Sequence, residues 1–171
     1  MSSSARAGGL IAGAAVLLAG GCVGYRLGTT LPADVKTIHV PTFVNRSGEP
    51  LLENEATRAT RQAFQQDGAL RLAREATAAD LVLTTTLTRL KLEPLRYRQD
   101  RPRATREYRV LVEAEIVAVR TRPAGVLVQR KVAGEATFEF GGDLATAKAT
   151  ALPLAAADLA HQIVRAVAES W

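Results

Sequence analysis

A chain of 171 residues, 47% hydrophobic but only 5% aromatic, holds enough material for one domain whose core is built from Val, Leu, Ile and Ala rather than rings. Its 22 basic and 17 acidic residues leave a net charge of +5, and the excess is local: residues 89–109 hold eight cations against Glu93, Asp100 and Glu107, so the remainder is about neutral. A single cysteine rules out an internal disulfide, and two distant histidines with no HxH or HxxxH spacing offer no zinc-ligand set.

At the start of the chain, Arg6 is followed by an apolar run at 10–19 and then by Gly20, Gly21 and Cys22. This is the anatomy of a signal peptide, and ten apolar residues are too few to cross a hydrocarbon core of ~30 Å as a helix. The sequence Leu18-Ala19-Gly20-Gly21-Cys22 resembles a bacterial lipobox, in which small residues before the cysteine admit the processing peptidase. It departs from the common pattern in one place: Ala19 stands three before the cysteine, where a branched apolar residue is usual, with Leu18 one step further out. The expectation is cleavage of residues 1–21, lipidation of Cys22, and a tether over 22–35 marked by Gly24, Gly28 and Pro32. Acylation at both the thiol and the new amino group meets the requirement of more than one chain for stable membrane attachment. Val23 follows the cysteine in place of the aspartate that signals inner-membrane retention in many enterobacteria, so the resemblance implies the outer membrane. Loss of the leader removes only Arg6 from the charge count and leaves a net +4.

From Lys36 the pattern is extended through Val44, with Pro41 requiring an edge or a bulge because it has no N–H to donate, and residues 45–48 (NRSG) make a turn. Leu52, Ala56, Ala59 and Ala63 then recur at helical spacing, and Gly68 is placed to stop the helix. Leu70 and Leu72 suit a short strand. A longer strand begins near Asp80 with Leu81, Leu83 and Leu87, then changes parity to Leu90 and Leu92, which predicts a bulge near Thr88. Two clean alternations follow: Tyr108, Val110, Val112, Ala114, Ile116 and Ala118, then Val126, Val128, Val132, Ala136, Phe138 and Phe140. Each has one buried and one wet face, and the short link at 121–125 predicts a hairpin. After Gly141 and Gly142, Asp143 caps a last helix with the stripe Leu152, Ala156, Leu159, Ile163 and Ala166, which Pro153 either kinks or begins. The predicted fold over 36–171 is α+β: a four-stranded mixed or antiparallel sheet with two helices packed on one face, in the order β-α-β-β-β-α.

Nothing in this pattern reads as an enzyme, and no metal or cofactor is implied. His39 and His161 read as structural or surface groups, and Ser47 lies in a turn without a nucleophile-elbow context. Glu113 and Glu115 share a strand face, which suits a solvated or partner-facing surface better than acid–base work. The arginine-rich segment does call for a ligand. Guanidinium groups hold phosphate in a bidentate fashion and keep their charge, so Arg96, Arg98, Arg101, Arg103 and Arg106 suit a phosphorylated or carboxylated surface. Nucleic acid would be the usual partner for such a patch, but export with a lipid anchor argues against it.

These residues resemble the LptE family of lipopolysaccharide-assembly lipoproteins over nearly the whole mature chain. The likeness runs from Cys22 and the segment Gly24-Tyr25-Arg26-Leu27-Gly28 through Lys36-Thr37-Ile38-His39-Val40-Pro41, Phe43 and Asn45, then Ala79-Asp80-Leu81, Tyr97, Tyr108, Asp158-Leu159-Ala160, Ile163-Val164 and Trp171. Each motif is short; their order and spacing carry the resemblance. It implies a two-helix, four-stranded domain that plugs the β-barrel protein LptD, assists its assembly and supports delivery of lipopolysaccharide to the outer leaflet. The five arginines would then meet lipopolysaccharide phosphates, an assignment made here from their chemistry and not from aligned family residues. The opening Val40-Pro41-Thr42-Phe43-Val44-Asn45 is also similar to the LpoB-like outer-membrane lipoproteins, which would imply activation of a peptidoglycan synthase instead.

Overall fold

The computed structural model describes residues 31–97, 105–139 and 142–168. In chain order the elements are β1 (Thr37–His39), β2 (Val44–Asn45), α1 (Leu52–Asp67), β3 (Arg71–Leu72), a 3-10 turn (Ala76–Ala78), β4 (Leu81–Tyr97), β5 (Thr105–Thr121), β6 (Ala124–Glu139) and α2 (Leu144–Ala168). The six strands form one mixed sheet in the order β3-β1-β4-β5-β6, with β2 also on β4. Two helices on a mixed sheet agree with the expected α+β class, but the strand count is six rather than four.

The difference arises in the first half. The expected first strand is two short ones, both parallel to β4: His39 stands opposite Val82 and Val44 opposite Thr86. Five steps on one side therefore match four on the other, and the surplus residue falls between β1 and β2, where Pro41 cannot donate to the ladder. Arg71–Leu72 pairs with β1 as an additional edge strand. Thr57 of α1 holds the break in place, accepting from Phe43 N–H at 3.0 Å while donating to the Glu53 carbonyl at 2.5 Å.

The remaining strands form a long antiparallel meander. The parity change in β4 is a bulge, since Leu87 pairs with Ala114 but Arg89 with Glu113, leaving Thr88 unmatched with its hydroxyl on the Glu113 carbonyl at 3.1 Å. Leu81, Leu83, Leu87, Val110, Val112, Ile116 and Ala118 are all buried, as the alternation predicts. Val126 departs from it, being 59% exposed: Ala118 pairs with Val128 and Val119 with Val126, so Leu127 is the extra residue and the alternation resets there.

Helix α1 buries Leu52, Ala56 and Ala63 as expected, with Thr57, Thr60 and Phe64 completing the face, while Ala59 is only half-buried. It starts from Leu51 in the left-handed region (φ 63°) without a side-chain cap and stops at Gly68 (φ 74°), whose N–H donates to Phe64 O. Asp143 caps α2 by accepting from the N–H groups of Ala145 and Thr146, both at 3.1 Å. These bonds, and above all the one from the Thr146 hydroxyl, hold the Asp143 carboxyl below its ordinary range. Pro153 lies inside this helix, nine residues after its first. Both helices contribute to one core with the sheet, from Phe64 on α1 to Leu159 and Ile163 on α2.

Asp80 fastens the start of the meander. Its Oδ2 accepts from Lys36 N–H and Thr37 N–H, both at 3.0 Å, and from the Thr37 hydroxyl at 2.8 Å, while its own N–H donates back to Thr37 Oγ1 at 2.9 Å. Bonds to an ionised acceptor favour the charged form, the Lys36 N–H foremost, so the carboxyl lies below its usual range. The folded state thus binds the Asp80 proton less readily than the unfolded chain. Its stabilisation is present above the unfolded value and is lost as the pH falls from about 5 through the lowered folded value. Asp80→Ala is expected to cost about 2 kcal/mol at pH 7 by leaving donors unmatched. Urea midpoints measured at pH 7 and below pH 3 check this: the gap between variant and native chain should shrink in acid.

Candidate functional site

Strands β4 and β5 pair continuously from Leu81↔Arg120 to Tyr97↔Thr105, so residues 98–104 are the connection at the far end of a hairpin ~55 Å long. The backbones of Arg96 and Arg106 lie in β4 and β5, and Arg96 stands opposite Glu107. Arg98, Arg101 and Arg103 lie outside the described residues, as do Cys22, Phe140, Gly141 and Trp171. The fold therefore brings the two flanking arginines to one end of one hairpin.

The helix-side face of this end is apolar and thinly covered. Leu87 is fully buried, but beyond the Thr88 bulge Leu90 and Leu92 are only half-buried at the margin of the core. Tyr108 and Phe138, adjacent on β5 and β6, stack with centroids 5.7 Å apart. This surface can hold hydrocarbon.

On the opposite face of the meander three cations meet carboxylates across strands. Lys91 reaches Glu113 at 2.5 Å, Arg109 bridges Glu93 at 2.7 Å and Glu135 at 3.3 Å, and Lys131 lies 3.4 Å from Glu115. Glu113 is held below the usual carboxylate range first by its hydrogen bond from Lys91, and Arg109 is raised chiefly by its bonds to Glu93. Glu113 and Glu115 are thus two members of a cross-strand ladder, each with its own lysine. Of the eight cations in the basic window, Lys91 and Arg109 are consumed in this ladder, a matching that spacing alone could reveal only once the register was known. His39 places Nδ1 3.1 Å from the Ala73 carbonyl, which ties β1 to the segment after β3, and His161 is exposed on α2. Among the described residues no cluster of three metal-ligating side chains occurs, and no helix is long and apolar enough to cross a membrane.

A long meander roofed by two helices, with a thinly covered apolar end on the helix side and a cross-strand ladder of charges on the open face, defines a small α+β domain. The model of the family described as "LptE: Lipopolysaccharide-assembly" matches residues 35–167, so the chain belongs to that family of non-enzymatic lipopolysaccharide-assembly lipoproteins of the bacterial envelope. No curated protein sequence matches the chain. Among solved structures, protein XCC0632 from Xanthomonas campestris shares the fold with a TM-score of 0.53 and 13% identity, over 80% of this chain and 88% of that one. Lipoprotein GNA1162 from Neisseria meningitidis aligns at 12% identity over 67% of this chain and 92% of that one, TM-score 0.44. An uncharacterized lipoprotein B from Nitrosomonas europaea aligns at 11% identity over 83% and 84%, TM-score 0.48.

Proposed function

We propose that the chain is an outer-membrane lipoprotein, anchored through acylated Cys22, that forms a complex with the β-barrel LptD as its plug and assists both barrel assembly and insertion of lipopolysaccharide into the outer leaflet. The observation that carries this reading is the family match across residues 35–167, which takes in almost all of the folded domain. The far end of the β4–β5 hairpin supports a direct contact with the lipid. Half-buried Leu90, Leu92 and Phe138 offer acyl chains an apolar bed, and the cluster Arg96, Arg98, Arg101, Arg103 and Arg106 offers phosphate a set of bidentate donors.

Affinity purification from envelopes tests the partner: a heat-modifiable β-barrel should come down with the chain, and a penicillin-binding protein in its place would overturn the reading in favour of synthase activation. Changing all five arginines to glutamine is expected to weaken lipopolysaccharide binding at least tenfold, with a thermal melt of the variant run alongside to show that the domain remains folded. Surface plasmon resonance on immobilised lipopolysaccharide and an outer-membrane permeability assay read the outcome. Retention of both binding and envelope integrity would remove the phosphate-contact assignment while leaving the barrel partnership standing.

A further inference from the structure

The arginine-rich connection marks one end of the β4–β5 hairpin; at the opposite end β5 turns into β6 and the chain enters β1. Three segments are braced against one another there. Asp34, just before β1, pairs with Arg120 near the end of β5. Arg120 Nε donates to the Arg122 carbonyl at 3.0 Å, and Arg122 Nη2 reaches the Thr77 carbonyl in the 3-10 turn at 3.2 Å. The Thr121 hydroxyl donates to the Ala79 carbonyl at 2.6 Å. Residues 33–36, 76–79 and 120–126 therefore form one fixed platform.

Its outer surface carries small apolar groups. Ala33, Ala76, Ala78, Pro123, Ala124 and Val126 are all exposed, Val126 by 59%. Asp34 and Arg120 neutralise each other, whereas exposed Lys36 and Arg122 meet no carboxylate within ion-pair distance among the described residues. Side chains of this kind lay their stems along apolar surface and set the charge at the level of lipid phosphates. What the platform meets follows from the length of chain before it. Leu31, already packed against the core, stands nine positions after Cys22, a reach of ~30 Å at most. An anchor at Cys22 keeps the platform within that distance of a bilayer, while the arginine-rich connection lies ~55 Å away along the hairpin. So short a tether also gives an effective concentration on the order of millimolar, at which a patch too small to bind by itself stays in contact.

We infer that this platform rests on the phospholipid headgroups of the bilayer that holds Cys22, with Pro123, Ala124 and Val126 at the interface and Lys36 and Arg122 on the phosphates. The inference rests on the lipid anchor proposed above. It goes beyond that anchor by giving the folded domain a second contact with the same bilayer, and so a fixed orientation on it.

The test reconstitutes the full-length lipoprotein into vesicles of phosphatidylethanolamine and phosphatidylglycerol, after mass spectrometry of the intact protein. Because Cys22 is the only native cysteine, its acylation leaves an introduced cysteine as the one thiol open to labelling. Val126→Cys then carries an environment-sensitive fluorophore, and Ala149→Cys, exposed early in α2, carries it as the control. Lipid spin-labelled at the headgroup should quench the Val126 label at least threefold more strongly than the Ala149 label. Adding Lys36→Glu/Arg122→Glu should bring the two to the same level, with a circular dichroism melt to show that this variant is folded; the comparison of the two labels stands without it. Acylated protein whose labels quench equally would overturn this inference and leave the anchor standing, whereas a product without acylation would overturn both. A Val126 label that stays open to water on the vesicles and is shielded only when the barrel is co-reconstituted would also overturn it, assigning the platform to the protein partner.

Discussion

Gly134→Ala is expected to lower the midpoint of thermal unfolding by about 10 °C. Gly134 is buried on β6 against α2, and a Cβ built there lies 2.2 Å from Leu159 N, 2.5 Å from Ala155 O and 2.5 Å from Leu159 Cα. All three atoms are backbone, so no rotamer change relieves the clash and the helix itself must lift from the sheet. The next residue adds to the loss, because Glu135 N–H donates to Asp158 Oδ2 at 2.9 Å and this bond depends on the same close approach. Over-packing costs about 1–3 kcal/mol when side chains can adjust; with rigid backbone on the far side about 3 kcal/mol or more is expected. A domain of this size loses roughly 2–4 °C per kcal/mol. Gly125→Ala is the control, since nothing lies within 4 Å of a Cβ there, and it should move the midpoint by no more than about 1 °C. Circular dichroism melts of the three proteins decide the matter, and a Gly134→Ala midpoint within about 2 °C of the native one would refute the contact.

The second large effect is all-or-none. Cys22→Ala should abolish incorporation of labelled palmitate and remove the chain from the outer-membrane fraction. Without the thiol no diacylglyceryl group is attached, and the processing step that acts on lipidated cysteine has no substrate. Two or more acyl chains separate stable anchoring from the marginal hold of one, and no helix among the described residues can substitute by crossing the bilayer. Sucrose-gradient fractionation with metabolic labelling checks both parts. Native-like outer-membrane recovery of Cys22→Ala, or a mass spectrum of the native product showing an unmodified thiol, would sink the anchor assignment and with it the fixed position that the proposed partnership requires.

Much of the fold was legible because period and punctuation act locally. The alternation of Val110, Val112, Ala114, Ile116 and Ala118 named a buried face without knowledge of any neighbour, and the parity change after Leu87 located the Thr88 bulge. Gly68 and Asp143 ended and began helices at the expected places, since both act through bonds to residues within four positions. The first half was harder to read. β1, β2 and β3 are two or three residues long and owe their existence to parallel pairing across more than thirty positions of sequence, which no local period encodes. Val126 was misassigned because the Leu127 bulge leaves no parity mark in so short a stretch. Of the arginine cluster, the sequence identified the residue types, and the structure added that Arg96 and Arg106 flank one hairpin end.

By itself the sequence determined the α+β class, the long meander and the expectation of an anchor at Cys22, because each depends on side chains a few positions apart: a strand period, a helix stripe, small residues before a thiol. Only the tertiary structure decided which charges are neutralised and which remain open. Lys91 meets Glu113 across 22 positions and Arg109 meets Glu135 across 26, while Arg74 meets no acid among the described residues. Coulomb attraction is effective over a few ångströms of space and is indifferent to distance along the chain, so the register of the sheet and the packing of α1 against its edge had to exist before those partners could be assigned.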